Sequence, residues 1–153
     1  IPFGPQSFDL ALMLKSLHHV PLDLLDAALA EVHRVLCPQG LLYVSEPVFA
    51  GPLNEVIRVF NDEERVRAEA LRALERAVAT GAWEAVTELH FEMPVHYRDF
   101  ADFERRQIGV TFADHRLDAA TLVRVRERFE PHMTPGGAHF VRPMRVNLLK
   151  KTA

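Results

Sequence analysis

Two polar clusters in the sequence carry side chains capable of acid–base chemistry. The segment LKSLHH at 14–19 follows one apolar run, and Glu46 follows a second. An imidazole titrates near neutrality, so His18 and His19 are candidate catalytic bases. The Glu46 carboxylate is a third candidate, either as a base or as a group that orients a substrate.

Each of these residues also has a purely structural interpretation. His18 and His19 can hydrogen-bond to the backbone and fix their loop, and this interpretation is favoured for each histidine taken singly. Since the two are adjacent on a predicted loop, we expect their side chains to diverge, with one facing a crevice. Glu46 can equally cap the helix that follows it. The eight histidines include no i, i+4 pair and no His-x-His spacing, so no metal site is predicted.

A strand, a helix and a second strand must position these groups. The segments FDLALML at 8–14 and LLYVS at 41–45 have the pattern of strands buried on both faces. Apolar residues at three- and four-residue steps predict a helix from Pro21 to about Leu36. A β–α–β unit implies parallel strands, so both polar clusters are expected at the carboxyl edge of the sheet. Ligands bind beyond that edge in doubly wound folds.

The remainder of the chain has the periodicity of several helices and a last strand. Residues 1–153 are expected to form a single domain. The further predicted elements are two helices within 53–78 with a new start at 61–64, a helical piece from Trp83 to about His90, a short helix capped by Asp99, a short strand at 109–112, a helix at 119–130 capped by Asp118, and a strand at 139–151.

Composition narrows the class of protein. With 153 residues, of which 48% are hydrophobic and 25% charged, the chain is expected to fold as a globular domain. Its net charge of −3 argues against a nucleic-acid partner and against a membrane-surface protein. No apolar run is long enough to span a bilayer. The single cysteine, Cys37, and the lack of a signal-peptide pattern predict a cytoplasmic location.

Two stretches of the sequence resemble a known enzyme family. IPFGPQSFDLALMLKSLHHV at 1–20 and ALAEVHRVLCPQGLLYVSEP at 28–47 are similar to class I S-adenosylmethionine-dependent methyltransferases, within the small-molecule group of ubiquinone and menaquinone biosynthesis. The departures are Cys37, where Lys or Arg is common, and Gln39, which replaces the first Gly of a Pro-Gly-Gly turn. The matching residues are Pro2, Phe3, Ser7, Phe8, Asp9, Leu17, His18, His19, Glu31, Arg34, Val35, Leu36, Pro38, Gly40 and Glu46.

The resemblance implies a fold and a set of roles. The fold is the α/β, Rossmann-like methyltransferase sheet, of which this chain would hold strands four to seven together with a helical, substrate-side insert at about 50–108. Leu14, Lys15, Ser16 and Leu17 would bind S-adenosylmethionine, with backbone carbonyls accepting from its amino group. The acceptor of the methyl group would be a small molecule.

The resemblance also implies that part of the enzyme lies elsewhere. The family's glycine-rich cofactor loop belongs to the first half of the fold, and no G-x-G occurs here. We therefore expect this partial domain either to need a missing amino-terminal half or to self-associate through an exposed sheet edge. The alternative is a non-catalytic, methyltransferase-like module that binds a protein partner. Nucleic-acid methylation is disfavoured because the chain is acidic and lacks an Asn/Asp-Pro-Pro-aromatic motif.

Overall fold

The first 47 residues fold into the predicted β–α–β unit. The computed structural model describes residues 1–110 and 115–152. Strand β1 (Phe8–Leu14) lies parallel to β2 (Leu36–Pro47), and α1 (Leu25–Val35) connects them. Two 3-10 turns, Leu17–His19 and Leu22–Leu24, complete the connection. The predicted parallel pairing is therefore confirmed.

The later elements complete a mixed α/β architecture. The strands follow the order β1, β2, β5, β3, with β4 beside β5, and β5 runs antiparallel to both β2 and β4. This confirms the predicted α/β class. The elements are α2 (Pro52–Ile57), α3 (Glu64–Ala79), β3 (Trp83–Tyr97), α4 (Phe100–Phe103), a π-helical turn (Glu104–Ile108), α5 (Ala119–Phe129), a 3-10 turn (Glu130–His132), β4 (Met133–Thr134) and β5 (Gly137–Lys151).

The chain divides into two compact units. The first comprises Ile1–Val48, Glu64–Phe91 and Met144–Ala153, and the second comprises Phe49–Glu63 and Glu92–Pro143. In the first unit, α1 and α3 pack together and cover one face of the sheet. Burial of each large aliphatic side chain in such a core contributes about 1.5–3 kcal/mol. The buried residues of this core include Leu25, Leu29, Leu42, Val44, Ala70, Leu74 and Leu149.

Aromatic side chains build the core of the second unit. The rings of Phe103 and Phe129 have centroids 5.0 Å apart, and Tyr97 meets Phe103 edge-to-face at 5.2 Å. Phe100 and Phe140 extend this cluster. Rings at these spacings add a modest attraction to the burial of their area.

The observed helix starts agree with the capping residues predicted from the sequence. Asp99 accepts a hydrogen bond from the Asp102 backbone N–H, and Asp118 accepts one from Thr121, which confirms both predicted caps. A fresh helix begins at Glu64 after α2 ends, as predicted. Of the strand predicted at 109–112, residues 111 and 112 lie outside the described residues, and Gly109 and Val110 belong to no strand.

The helical piece predicted from Trp83 to about His90 is wrong, because these residues open β3. Apolar and aromatic side chains alternate with polar ones over most of 83–97, and this two-residue period favours a strand. Residues 50–108 thus contain β3 as well as helices. A role of this segment in substrate recognition stays a prediction.

The prediction that β1 is buried on both faces is also wrong. Phe8, Leu10, Leu12 and Leu14 are 37–58% exposed, whereas Ala11 and Met13 between them pack toward the helix-covered core. The cause is that β1 ends the strand order, and α1 and α3 cover only one face of the sheet in the described part of the chain. Over the same described residues, no helix combines the length and apolar character needed to cross a membrane.

Candidate active site

A buried carboxylate joins the carboxyl ends of β1 and β2. One oxygen of Glu46 accepts hydrogen bonds from the backbone N–H groups of Ser16 at 3.1 Å and Leu17 at 2.8 Å. Its other oxygen is bonded to Nδ1 of His18. Glu46 is 3% exposed, so these bonds replace the water that the carboxylate loses on burial.

The parallel pairing of the strands explains this contact. Leu14 lies opposite Ser45 in the register, and the Lys15 N–H then donates to the Ser45 carbonyl at 2.7 Å. Lys15 has a φ of 53°, which turns the chain away from the strand. The turn at Leu17–His19 consequently begins beside the end of β2, where Glu46 can reach its first N–H groups.

Glu46 therefore caps a helical turn, although not the turn that follows it in sequence. The N-terminal residue of α2 is preceded by Gly51, which makes no side-chain cap. The N–H groups at the start of the Leu17–His19 turn are bound by Glu46 from the neighbouring strand instead. A carboxylate at such an N-terminus stabilises the turn by charge-assisted hydrogen bonds.

The two histidines differ in burial but do not diverge. His18 is 6% exposed and bonded to Glu46, whereas His19 is exposed. Their ring centroids lie 4.1 Å apart with planes tilted by 39°, contrary to the expectation that the side chains point apart. The 3-10 turn explains the difference from an open loop, because it keeps adjacent residues close in space.

The four predicted cofactor-binding residues lie on this same edge, in different environments. Leu14 and Lys15 are exposed, Ser16 is half-buried, and Leu17 is fully buried in the core of the first unit. The carbonyls of Ser16 and Leu17 accept from the N–H groups of His19 and Val20 within the turn. Among the described residues, no backbone N–H outside the strand pairing donates to the Lys15 carbonyl.

A buried polar chain beside Glu46 was not predicted from the sequence. Arg145 lies opposite Glu46 in the β2–β5 register and is 8% exposed. Its Nε donates to Asn147 at 2.8 Å, and the Asn147 amide donates to Glu88 at 2.8 Å. Burial lowers the pKa of Arg145, whereas the charges of Glu88, Glu46 and Glu75 act in the opposite direction. Polar residues at alternate positions of an otherwise apolar strand were the available signal.

Comparison with protein families gives a match at the start of the chain. Residues 1–44 match the family model described as a methyltransferase domain. The matched segment contains β1, both 3-10 turns, α1 and most of β2, including all of Leu14–Leu17. Comparison with curated protein sequences gives no match.

Solved structures share the fold, and two of the three described below are named as methyltransferases. A proposed methyltransferase from Bacillus halodurans C-125 matches at 16% identity and a TM-score of 0.62, covering 100% of this chain and 74% of its own. The YcgJ protein of Bacillus subtilis matches at 15% identity and a TM-score of 0.59, covering 100% and 68%. An S-adenosylmethionine-dependent methyltransferase from Methanosarcina mazei matches at 16% identity and a TM-score of 0.53, covering 99% and 63%.

These findings confirm the resemblance stated from the sequence. The chain has the Rossmann-like fold of the class I S-adenosylmethionine-dependent methyltransferases. At such low identity the structural similarity concerns the fold alone and does not extend to activity, acceptor or site roles.

Proposed function

We propose that this chain takes part in methyl transfer from S-adenosylmethionine to a small-molecule acceptor. The observation that carries the proposal is the Glu46 carboxylate, which binds the Ser16 and Leu17 N–H groups at the carboxyl edge of a methyltransferase fold. Ligands of doubly wound sheets bind at this edge. A rigid turn at this edge can position the cofactor and the acceptor, and methyl transfer depends mainly on such positioning.

The backbone around Lys15 suits the amino group of the cofactor. The Lys15 carbonyl lies at a strand end and accepts no hydrogen bond from a backbone N–H of the described residues outside the strand pairing. An ammonium group can donate to such an acceptor. Leu14 and Ser16 flank it, and Leu17 anchors the turn in the core. S-adenosylmethionine, when bound, supplies an activated methyl group whose transfer leaves the electron pair of the broken carbon–sulfur bond on sulfur.

The three candidate catalytic residues receive different roles in this proposal. Glu46 positions the turn, because both of its oxygens are engaged. His18 is buried and bonded to the second oxygen of Glu46, so it also helps to fix the turn. His19 is exposed and is therefore the candidate base for an acceptor that must lose a proton.

We further propose that the active protein includes an amino-terminal portion with the glycine-rich cofactor loop, or that the chain self-associates. The exposed apolar row on β1, from Phe8 to Leu14, supports this proposal, because a bare apolar edge strand favours pairing. The single cysteine supports a cytoplasmic location. The family resemblance supports a small-molecule acceptor, and the acidic net charge argues against a nucleic-acid acceptor.

Calorimetric titration with S-adenosylmethionine tests the proposal. The chain alone should bind very weakly, and a form extended by its upstream reading frame should bind with micromolar affinity. Absence of binding in the extended form contradicts the enzyme hypothesis and favours a partner-binding module.

Two variants of the extended form test the role of Glu46. Glu46→Leu removes every acceptor for the turn, so cofactor affinity should fall at least about tenfold. Glu46→Gln keeps one oxygen for the two N–H groups, so affinity and methyl transfer should be largely retained. Loss of methyl transfer in Glu46→Gln with unchanged cofactor affinity would show that Glu46 acts as a base.

A further inference from the structure

A cleft opens between α1 and α3, well away from the edge that carries Glu46. Its volume is about 370 Å³, within the usual range for small-molecule sites. His33 from the last turn of α1 and Trp83 at the start of β3 contribute to its lining. The adjoining end of β2 is at Leu36, which pairs with Phe8, whereas Ser45 pairs with Leu14, so six residues of β1, roughly 20 Å, separate the two levels of the sheet.

Small side chains and a fixed aromatic wall create this cleft. Ala30, Ala77 and Ala82 line it where longer side chains would fill the space. Trp83 is 3% exposed, so only a small part of it borders the cleft, and its ring meets the His33 ring edge-to-face, with centroids 5.1 Å apart and planes at 82°. His33 Nε2 is bonded to the Ala82 carbonyl at 3.2 Å, which fixes the imidazole. The aromatic wall is therefore formed before any ligand binds.

The charges around the cleft cancel. Arg76 donates from Nη2 at 2.8 Å and from Nε at 3.2 Å to a single Asp26 oxygen, so the two charged lining residues neutralise one another. Burial, and then the Lys151 charge, lower the pKa of His33, which keeps its imidazole neutral at pH 7. A charged ligand that entered the cleft would lose hydrating water and would find no unpaired opposite charge to replace it.

We propose that this cleft is a binding site for an uncharged aromatic compound of two fused rings. The lining supplies an aromatic wall, the aliphatic side chain of Leu29 and three alanines, and it offers no net charge. An apolar cavity of about 150 Å³ holds one benzene molecule, so about 370 Å³ suits a ligand of roughly twice that size. The site is separate from the proposed methyl-transfer edge and does not depend on that function.

Fluorescence of the chain's single tryptophan provides a direct test. Quinoline is titrated into the 153-residue chain, with saturation-transfer NMR as a second readout. Trp83 emission should change saturably with a dissociation constant below about 1 mM. N-methylquinolinium and quinoline-6-carboxylate, which share the ring system but carry a charge, should bind at least about tenfold more weakly.

Matched substitutions on α3 assign the signal to the cleft. Ala77→Leu fills the cleft and should weaken quinoline binding at least about tenfold, whereas Ala79→Leu, at an exposed position outside the lining, should leave it within about twofold. Ala30→Leu fills the cleft from α1 and provides a second variant if the first one unfolds.

Four results would overturn the proposal. They are an absence of saturable binding, equal affinity in the cleft-filling variants, equal affinity for a charged analogue, and a Trp83 signal that depends on protein concentration alone. The last result would assign the cleft to a second copy of the chain.

Discussion

The Glu46 carboxylate and the Leu17 backbone N–H are joined by a 2.8 Å hydrogen bond across 29 residues of sequence. This bond links the end of one parallel strand to the turn after its neighbour. Because Glu46 and Leu17 are both buried, neither group has water as an alternative partner.

The first prediction concerns the stability that this contact supplies. Glu46→Leu leaves two backbone N–H groups without an acceptor, so the free energy of unfolding should fall by about 2–4 kcal/mol. Urea denaturation measures the change. Glu127→Leu, at an exposed position of α5, is the control and should stay within about 0.5 kcal/mol of the unsubstituted chain. Equal effects of the two substitutions would contradict the structural role of Glu46.

Adjacent lysines at the end of β5 should differ sharply in importance. Lys151 is 9% exposed and donates to the carbonyls of His33 and Leu36 at 2.8 Å each, where α1 ends. Lys151→Met removes these charge-assisted bonds and should cost about 2 kcal/mol. Lys150 pairs with the exposed Glu84, so Lys150→Met should cost less than about 1 kcal/mol. Chemical denaturation of both variants checks the ranking, which a reversed order would contradict.

The exposed row on β1 should govern association of the chain. Leu12 is 58% exposed, and Leu12→Lys places a charge in the centre of the row. Sedimentation should show an associating chain whose dissociation constant rises at least about tenfold in this variant, since each buried leucine contributes about 1.5–3 kcal/mol. Val123→Lys alters an equally exposed residue of α5 and should have no such effect. A monomeric unsubstituted chain at high concentration would count against this prediction.

Acid sensitivity should arise in part from Asp102 of the second unit. Arg105, followed by Arg106 and the Arg98 backbone, lowers the pKa of this buried carboxyl from 3.8 to about 2. The folded state therefore binds fewer protons than the unfolded state between these values. The stabilisation is complete above about pH 4 and is lost as the pH falls through about 2. Thermal melts should show that Asp102→Asn is less stable near pH 6 and that the difference narrows toward pH 2. A difference that is constant with pH would contradict this account.

Sequence patterns predicted the elements whose signals are local. The cap at Asp118 and the stop between α2 and α3 depend on neighbouring side chains and backbone groups, and both are confirmed. The error at Trp83–His90 came from a local signal too, since the alternation that marks β3 was present in the sequence. A longer window would have identified the strand.

The sequence predicted where the candidate site lies but not which groups contact one another within it. Parallel strands bring residues 14–19 and Glu46 to one edge, which the β–α–β pattern predicted. The engagement of Glu46 with the turn depends on the register of β1 and β2, and its place opposite Arg145 depends on the register of β2 and β5. Sequence spacing does not contain that information, because the pairing joins residues about one hundred positions apart.

The sequence by itself determined the α/β class, the β–α–β unit and the resemblance to class I methyltransferases. Periodicity and caps depend on a few neighbouring residues, and the motif is visible in the order of residues along 1–47. Only the tertiary structure decided which face of β1 is covered, which histidine is buried and which N–H groups Glu46 binds. Burial and hydrogen bonding at these positions depend on side chains brought together from distant segments, and such contacts form only when the whole sheet and its helices have packed.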